Sequence, residues 1–384
     1  MIFFRRIHLV LLLLILAGCM TFAPPPPPGI GQPLDWSHLP GWQAYAHGEA
    51  WPALLQSCVR LERNTDIWRD LCRAARRLGT AHRVPDHATA RRFFQTWFVP
   101  HPLWDGDGDR DGLLTGYYEP HLRGSLTPTD TFRYPLYGKP KDLLTIDLGR
   151  LYPALAGRPA RGRLLEDGRV VPYFTRKQIE APGRPLQGNE IAWVDDPVAL
   201  FFLHIQGSGR LHLPDGQVLA VGYADRNGHP YVAIGRYLIR KGEMQREEVS
   251  LQSIRAWLQR NPHRADEVLN ANPNYIFFTS RKAQDDRGPM GALGVPLSAE
   301  RSIAVDPRFV SLGLPVWVDS SLPNLGSGEL PFRKLVFAQD TGSAIRGPVR
   351  ADLFLGSGLP AEEQAGRMRQ SVRLYVLLPK AMVR

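Results

Sequence analysis

The alternation of apolar and polar positions divides the chain into two textures. From Trp42 to Val99 apolar residues recur at helical spacing, first in Trp51, Leu54, Leu55, Cys58 and Leu61, then in Ile67, Leu71, Cys72, Ala75 and Leu78. Asn64-Thr65-Asp66 reads as a helix end followed by a new N-cap, and Gly79 as a stop. Asp86 is placed to cap a third helix carrying Phe93, Phe94, Trp97 and Phe98, an aromatic stripe of the kind that builds a core. After Pro100 the period shortens. Leu113–Tyr118, Phe132–Tyr137, Ala199–Gln206, Leu211–Leu213 and Val218–Tyr223 are short apolar or alternating runs separated by Gly, Pro and Asp, which predicts strands. Helical spacing returns in Tyr231–Lys241, Leu251–Gln259 and Ala265–Asn270. Strands are predicted again at Tyr275–Phe278, Ser302–Val305, Pro315–Val318, Lys334–Gln339 and Val372–Leu378. No internal repeat is present. The 36 glycines and 34 prolines fit tight turns, because the apolar runs between them persist. The pattern is that of a mainly β protein with a helical amino-terminal section.

The first residues carry a different signal. Arg5 and Arg6 precede the apolar run Leu9–Leu16, and Ala17-Gly18-Cys19 closes it. This is the layout of a lipoprotein signal, with residues 1–18 removed and Cys19 lipidated. The run falls short of the roughly 20 residues a membrane span needs. Met20, rather than an aspartate, follows the cysteine, which points to the periplasmic face of the outer membrane. Pro24 to Pro28 then predicts a stiff polyproline spacer, so that residues 19–35 act as a tether and folding starts near Leu34. The remaining length suits two domains.

The formal charge is +10, or +8 without Arg5 and Arg6. In the periplasm such a charge fits an anionic wall polymer or an anionic lipid surface and argues against nucleic acid. With Cys19 assigned to lipid, Cys58 and Cys72 form an even pair in an oxidising compartment. One straight helix would hold them about 21 Å apart, too far to bond. The break at Asn64–Asp66 folds two helices back on each other, so a disulfide is predicted, against two buried free thiols.

Several motifs compete as chemistry. Asp105, Asp107, Asp109 and Asp111 resemble a calcium loop, but its twelfth position would be Tyr118, and a polar loop entering a strand is the better reading. Asp340-Thr341-Gly342-Ser343 matches the aspartic-protease signature, yet the second copy that chemistry needs is missing. Gly207-Ser208-Gly209 lacks the spacing of a nucleophile elbow, and no histidine pair suggests zinc. The sequence therefore leans on carboxylates, with no metal and no cofactor. Asp306, Asp340 and Asp352 follow or lie within apolar stretches, where desolvation raises a carboxyl pKa and lets it hold a proton near neutrality. Pattern alone does not rank the three, and at least one is expected merely to bind backbone in a turn.

These residues sit in recognisable stretches: Leu114-Thr115-Gly116-Tyr117-Tyr118-Glu119-Pro120, Tyr134-Pro135-Leu136-Tyr137, and Phe201 to Gly209. Further on come Gly291 to Leu297, Ala304-Val305-Asp306-Pro307-Arg308, and Ala338-Gln339-Asp340-Thr341-Gly342 leading to Asp352. In this order they resemble the membrane-bound lytic murein transglycosylase A family. The resemblance implies a double-psi β-barrel built from both ends of the chain, residues 36–119 with the helical section and 266–384. A second β domain, 120–265, is inserted between them. It implies cleavage of the β-1,4 bond between N-acetylmuramic acid and N-acetylglucosamine in peptidoglycan, leaving 1,6-anhydromuramoyl ends. Asp352 would serve as the single acid and then base, with Asp340 and Asp306 orienting the site. Tyr117, Glu119, Gln206, Ser208 and Gly209 would line the glycan groove between the domains. The implied partners are peptidoglycan glycan strands, the membrane through the lipid anchor, and proteins of wall synthesis or division. Two other readings stay open: a hydrolytic muramidase using Asp352 with Asp340 or Glu119, and a non-catalytic wall-binding lipoprotein.

Overall fold

The computed structural model describes residues 28–157, 159–183, 185–283, 287–324, 326 and 328–383. The signal segment, Cys19 and most of the proline run lie outside them.

The chain enters as β1 (Gly29–Ile30), which pairs with Trp104 and Leu103. Gly31 and Leu34 then donate backbone N–H groups to the carbonyls of Pro102 and Pro100. This corrects the expectation of a free tether to residue 35. Its last residues lie along a strand whose prolines cannot donate but whose carbonyls accept.

Three helices follow: α1 (Trp51–Leu61), α2 (Asp66–Leu78) and α3 (His87–Trp97). The predicted caps are in place, Thr65 accepting the N–H of Trp68 at 3.3 Å and Asp86 that of Thr89 at 2.9 Å. The break before Thr65 turns α2 back on α1, and Cys58 and Cys72 are joined by a disulfide with Cα atoms 5.5 Å apart. Closing a loop of that length stabilises the fold by about 3 kcal/mol in the chain-entropy picture. The helices bury Trp51, Leu54, Leu71, Phe93 and Phe94 in the same core as Val316, Trp317 and Leu335 of the sheet behind them.

β2 (Phe98–Trp104) and β3 (Gly112–Glu119) begin that sheet. Between them the aspartate-rich loop spends its carboxylates on its own backbone. Asp105 accepts the N–H groups of Asp107 and Asp109, both at 2.9 Å, and Asp111 pairs with Arg373. Among the described residues no cluster of three or more His, Cys, Asp or Glu is arranged to hold a metal ion.

The chain then leaves for a second sheet. Its strands are β4 (His121–Ser125), β5 (Tyr134–Tyr137), a small side sheet of β6 (Leu144–Ile146), β7 (Ala160–Leu164) and β8 (Val170–Pro172), then β9 (Glu190–Val194), β10 (Ser208–His212), β11 (Val218–Arg226) and β12 (Ile276–Lys282). α4 (Arg176–Glu180), α5 (Pro197–Gln206), α6 (Ile234–Arg240), α7 (Leu251–Arg260) and α8 (Ala265–Asn270) are interleaved with them. The order β12-β11-β10-β4-β9-β5 carries this sheet to Lys282, so β12 belongs to it although it lies beyond residue 265, where the insert was expected to end.

α5 is a second correction. Ala199–Gln206 was read as a strand and is a helix. Asp196 caps it by accepting from Val198 and Ala199, Pro197 opens it, and Gly207 ends it at φ +77. Leu200 and Leu203 pack into the sheet's core while Phe201 and Phe202 pack into a helical cluster behind. A helix buried on two sides loses its polar stripe, and with it the periodicity that marks a helix.

β13 (Ser302–Val305), β14 (Pro315–Pro323), β15 (Glu329–Thr341), β16 (Arg350–Ser357), α9 (Gly358–Arg367) and β17 (Arg369–Pro379) return to the first sheet. The strands β17-β14-β15-β13-β16-β3 are neighbours in that order, and β3 pairs back to β17, closing a six-stranded barrel. β13 runs parallel to β15, and β16 parallel to β3.

Candidate active site

The barrel's strand register sets Asp340, Ala304, Asp352 and Thr115 side by side on β15, β13, β16 and β3. Adjacent strands lie about 4.8 Å apart, so the Cα atoms of the two aspartates are roughly 10 Å apart, with Ala304 on the strand between them.

Asp352 sits inside β16, half-buried. Its Oδ1 accepts from the Thr115 hydroxyl at 2.5 Å, and that hydroxyl accepts from Arg350 Nη2 at 2.8 Å. Burial raises the Asp352 carboxyl above the ordinary range; Thr115 and Arg350 pull it back, and the Asp340 charge adds to the rise. Asp340 has both oxygens engaged, Oδ1 by the Ala292 N–H and Oδ2 by the Tyr117 hydroxyl, each at 2.9 Å. Burial raises its pKa too, against those hydrogen bonds. The Ala292 amide reaches Asp340 because its turn lies tight on β15: a Cβ on Gly291 would stand 2.5 Å from the Gln339 carbonyl oxygen. Tyr117 packs its ring at a tilt against that of Phe354, centroids 5.4 Å apart, and burial together with Asp340 keeps its phenol protonated well past the usual range.

Asp306 lies just past β13 and has a different fate. Arg308 donates Nε to Oδ1 at 2.9 Å and Nη2 to Oδ2 at 2.5 Å, and Gly347 donates its N–H to Oδ2 at 2.9 Å. The Arg308 hydrogen bonds hold its pKa down to about 2. It is an ion-paired carboxylate that pins the turn following β15. That turn, Gly342–Ile345, forms one wall of a cavity of about 130 Å³ that contains Asp352.

The opposite wall comes from the inserted part of the chain and includes Arg176 of α4, His204 of α5, and Tyr231 and Asn274 of its loops. Arg176 is 1% exposed, and each of its three nitrogens has a partner. It donates to Glu180, to the backbone oxygens of Asn272 and Asn274, and by Nη2 to His204 Nδ1 at 3.0 Å. A guanidinium only donates, so Nδ1 accepts and the imidazole is neutral, consistent with burial and Arg176 pushing its pKa well below the usual value. Sequence reasoning missed this wall. His204 lies inside the recognised Phe201–Gly209 stretch, but Arg176 belongs to no motif, and its role appears only where α4 meets α5.

Of the residues expected to line a groove, Tyr117 reaches the site through Asp340. Glu119, Gln206, Ser208 and Gly209 lie at the junction of barrel and second sheet. Gln206 accepts the Tyr118 N–H at 3.0 Å, and Arg210 donates to Glu119 at 2.8 Å. Ser208 pairs with Gly222, and Gly209 is closed in, a Cβ there standing 2.5 Å from Leu203. None of the four is on the cavity wall. They hold the two sheets together where the chain crosses.

A closed barrel thus presents a carboxyl whose pKa is raised by burial to a cleft whose far wall comes from the inserted part of the chain. Residues 113–279 match the family model described as the MltA specific insert domain, and 301–378 match the 3D domain. Membrane-bound lytic murein transglycosylase A of Vibrio cholerae is 30% identical over 279 residues, covering 71% of this chain and 67% of the relative. The Escherichia coli K12 protein of that name is 32% identical, covering 69% and 65%, so the match spans about two thirds of these curated relatives. Among solved structures, MltA from Neisseria gonorrhoeae is 36% identical with a TM-score of 0.76, covering 94% of this chain and 98% of that one. A membrane-bound lytic murein transglycosylase from Agrobacterium tumefaciens is 35% identical with a TM-score of 0.78, covering 92% and 99%. The chain belongs to the membrane-bound lytic murein transglycosylase A family.

Proposed function

We propose that this protein is a lytic transglycosylase that cuts the β-1,4 bond between N-acetylmuramic acid and N-acetylglucosamine in peptidoglycan. The names of its relatives supply the substrate class. The observation that carries the mechanism is the inequality of the three aspartates. Asp352 is raised and opens on the cleft, Asp340 has both oxygens engaged, and Asp306 is ion-paired. One free carboxyl serves best in a reaction that uses one group twice.

Protonated Asp352 gives its proton to the glycosidic oxygen, and the C1–O4 bond breaks as positive charge builds on the muramic ring. The resulting carboxylate takes the proton of the muramic 6-hydroxyl while O6 bonds to C1. Asp352 ends protonated, a 1,6-anhydro ring forms, and no water is consumed, unlike hydrolysis by a carboxylate pair. Asp340, two strands away, supports the developing charge when ionised, and Tyr117 and Ala292 hold it in place.

The parallel pairings β13–β15 and β16–β3 support a double-psi winding of the barrel, with the second sheet as an inserted domain. The Leu16–Cys19 box and the word membrane-bound in the relatives' names support a lipid anchor at Cys19 on the periplasmic face of the outer membrane. Among the described residues no helix is long and apolar enough to cross a membrane.

The test is digestion of purified sacculi by the mature, unlipidated protein, with released muropeptides read by mass spectrometry. Products one water lighter than hydrolytic ones, lacking a reducible muramic end, are expected. Reducible ends, or binding without release by folded protein, would contradict the proposal.

A further inference from the structure

The groups around Asp352 have proton roles that their chemistry dictates. A guanidinium only donates, so the 2.8 Å contact from Arg350 Nη2 makes the Thr115 hydroxyl an acceptor on that side. The hydroxyl owns one proton, and it points that proton at Asp352 Oδ1, 2.5 Å away. Among the described residues no other side-chain acceptor takes it, and no hydrogen bond reaches Oδ2. Arg350 is itself held across the two strands it serves. Its Nη1 donates to the backbone oxygen of Leu113 on β3, at 3.3 Å, and to that of Ala351 on β16.

We propose that Arg350 and Thr115 form a positioning relay that reserves Asp352 Oδ1 as an acceptor and assigns the acid proton to Oδ2. The use made of that proton rests on the transglycosylase reading; the assignment itself does not. With Oδ1 engaged, the carboxyl keeps one orientation through both charge states. The oxygen that protonates the bridging oxygen is then the same one that later takes the 6-hydroxyl proton, without rotation of the group.

Other charged or titratable groups face Asp352 as well. Asp340 lies beyond Ala304 on β15, and Tyr117 stands two residues along β3 from Thr115. Across the cavity are Arg176, engaged with Glu180, His204 and two backbone oxygens, and His204, held neutral by it. Arg350 and Thr115 are the groups that oppose the effect of burial on this carboxyl. Removing either therefore raises the midpoint at which Asp352 loses its proton.

The experiment is a difference-infrared titration of the full-length mature protein, following the carboxylic acid band that disappears in Asp352→Asn. It is run on wild type, Thr115→Val, Thr115→Ser and Arg350→Met, alongside the pH profile of kcat on sacculi. A hydrogen bond to a charged group converts to about one to two pH units. Thr115→Val is expected to raise the midpoint by that amount, and the high-pH limb of kcat should move up with it. Arg350→Met should shift both in the same direction. Thr115→Ser keeps the hydroxyl and should leave both near wild type, which separates the relay from simple loss of packing. An unmoved midpoint in Thr115→Val, or a serine variant that behaves like valine, overturns the relay. The band titrates whether or not glycan is cut. Shifts as expected without cleavage by wild type would leave the relay standing and remove the proposed function.

Discussion

The corner after β13 and the row across β15, β13, β16 and β3 treat the same side chain in opposite ways. At the corner, Asp306 is 1% exposed yet meets a guanidinium and two backbone N–H groups, and its pKa falls to about 2. In the row, Asp352 accepts from one hydroxyl, with the Arg350 guanidinium behind it, and burial raises its pKa against both. Burial of the carboxyl drives the rise at Asp352, as it does at Asp340, and at Asp306 the Arg308 guanidinium overrides it. The charge of the donors separates the two outcomes: a guanidinium bound at both oxygens makes Asp306 an ion-paired anchor, whereas the neutral donors on Asp340 and Asp352 oppose the effect of burial without overcoming it.

The largest effect that would break this comparison is on turnover. Asp352→Asn is expected to cut the rate of muropeptide release by about 10²–10⁴-fold, the usual contribution of a general acid–base group, while the protein stays folded. Near wild-type turnover would remove Asp352 from its role. Asp306→Asn should do the reverse, lowering stability by about 2–3 kcal/mol in urea unfolding at neutral pH through loss of charge-assisted hydrogen bonds.

The pH dependence sharpens the contrast, because the signs differ. Asp306 has a folded pKa below its unfolded value of about 3.9. Its contribution is complete above pH 4 and disappears as pH falls toward 2, so the gap between wild type and Asp306→Asn should close over that window. Asp352 has a folded pKa above its unfolded value, so the folded state binds the extra proton. Its ionisation costs stability as pH rises from about 4 through the folded pKa, and Asp352→Asn should gain stability over wild type there. Paired urea titrations from pH 2 to 8 check both.

A smaller effect is expected at Tyr117. Tyr117→Phe removes the hydrogen bond to Asp340 Oδ2 and should raise the barrier by about 1 kcal/mol, read as a several-fold loss of kcat with KM little changed. A KM effect alone would mean that Tyr117 binds substrate and does not hold Asp340.

Much of the frame was legible because it rests on local rules. Thr65 and Asp86 cap the helices they were expected to cap, and the turn before Thr65 is what brings Cys58 to Cys72. Ser302–Val305, Pro315–Val318 and Val372–Leu378 lie within observed strands because alternating or apolar runs with β-branched residues have few other places to go. What was not legible depends on tertiary packing. α5 is apolar toward two cores and so carries no helical stripe. β2 holds Pro100 and Pro102, which argue against a strand until the N-terminal segment and β17 are seen on either side. Ranking the aspartates required Thr115, which strand register brings to Asp352, Gly347 from the loop after β15, and the side-chain directions of Arg308 and Arg350, which lie two residues away in sequence. The same holds for Glu119 and Gln206, which stand in the recognised stretches but join the two sheets.

The most direct test of the account is digestion of sacculi in water enriched in oxygen-18, with wild type and Asp352→Asn in parallel. A single carboxyl working as acid and then base predicts muropeptides that carry 1,6-anhydro ends and no added label, and almost none from the variant. Label at the muramic C1 would mean that water is the nucleophile, and that a second carboxylate, Asp340 or another, takes part in a hydrolysis.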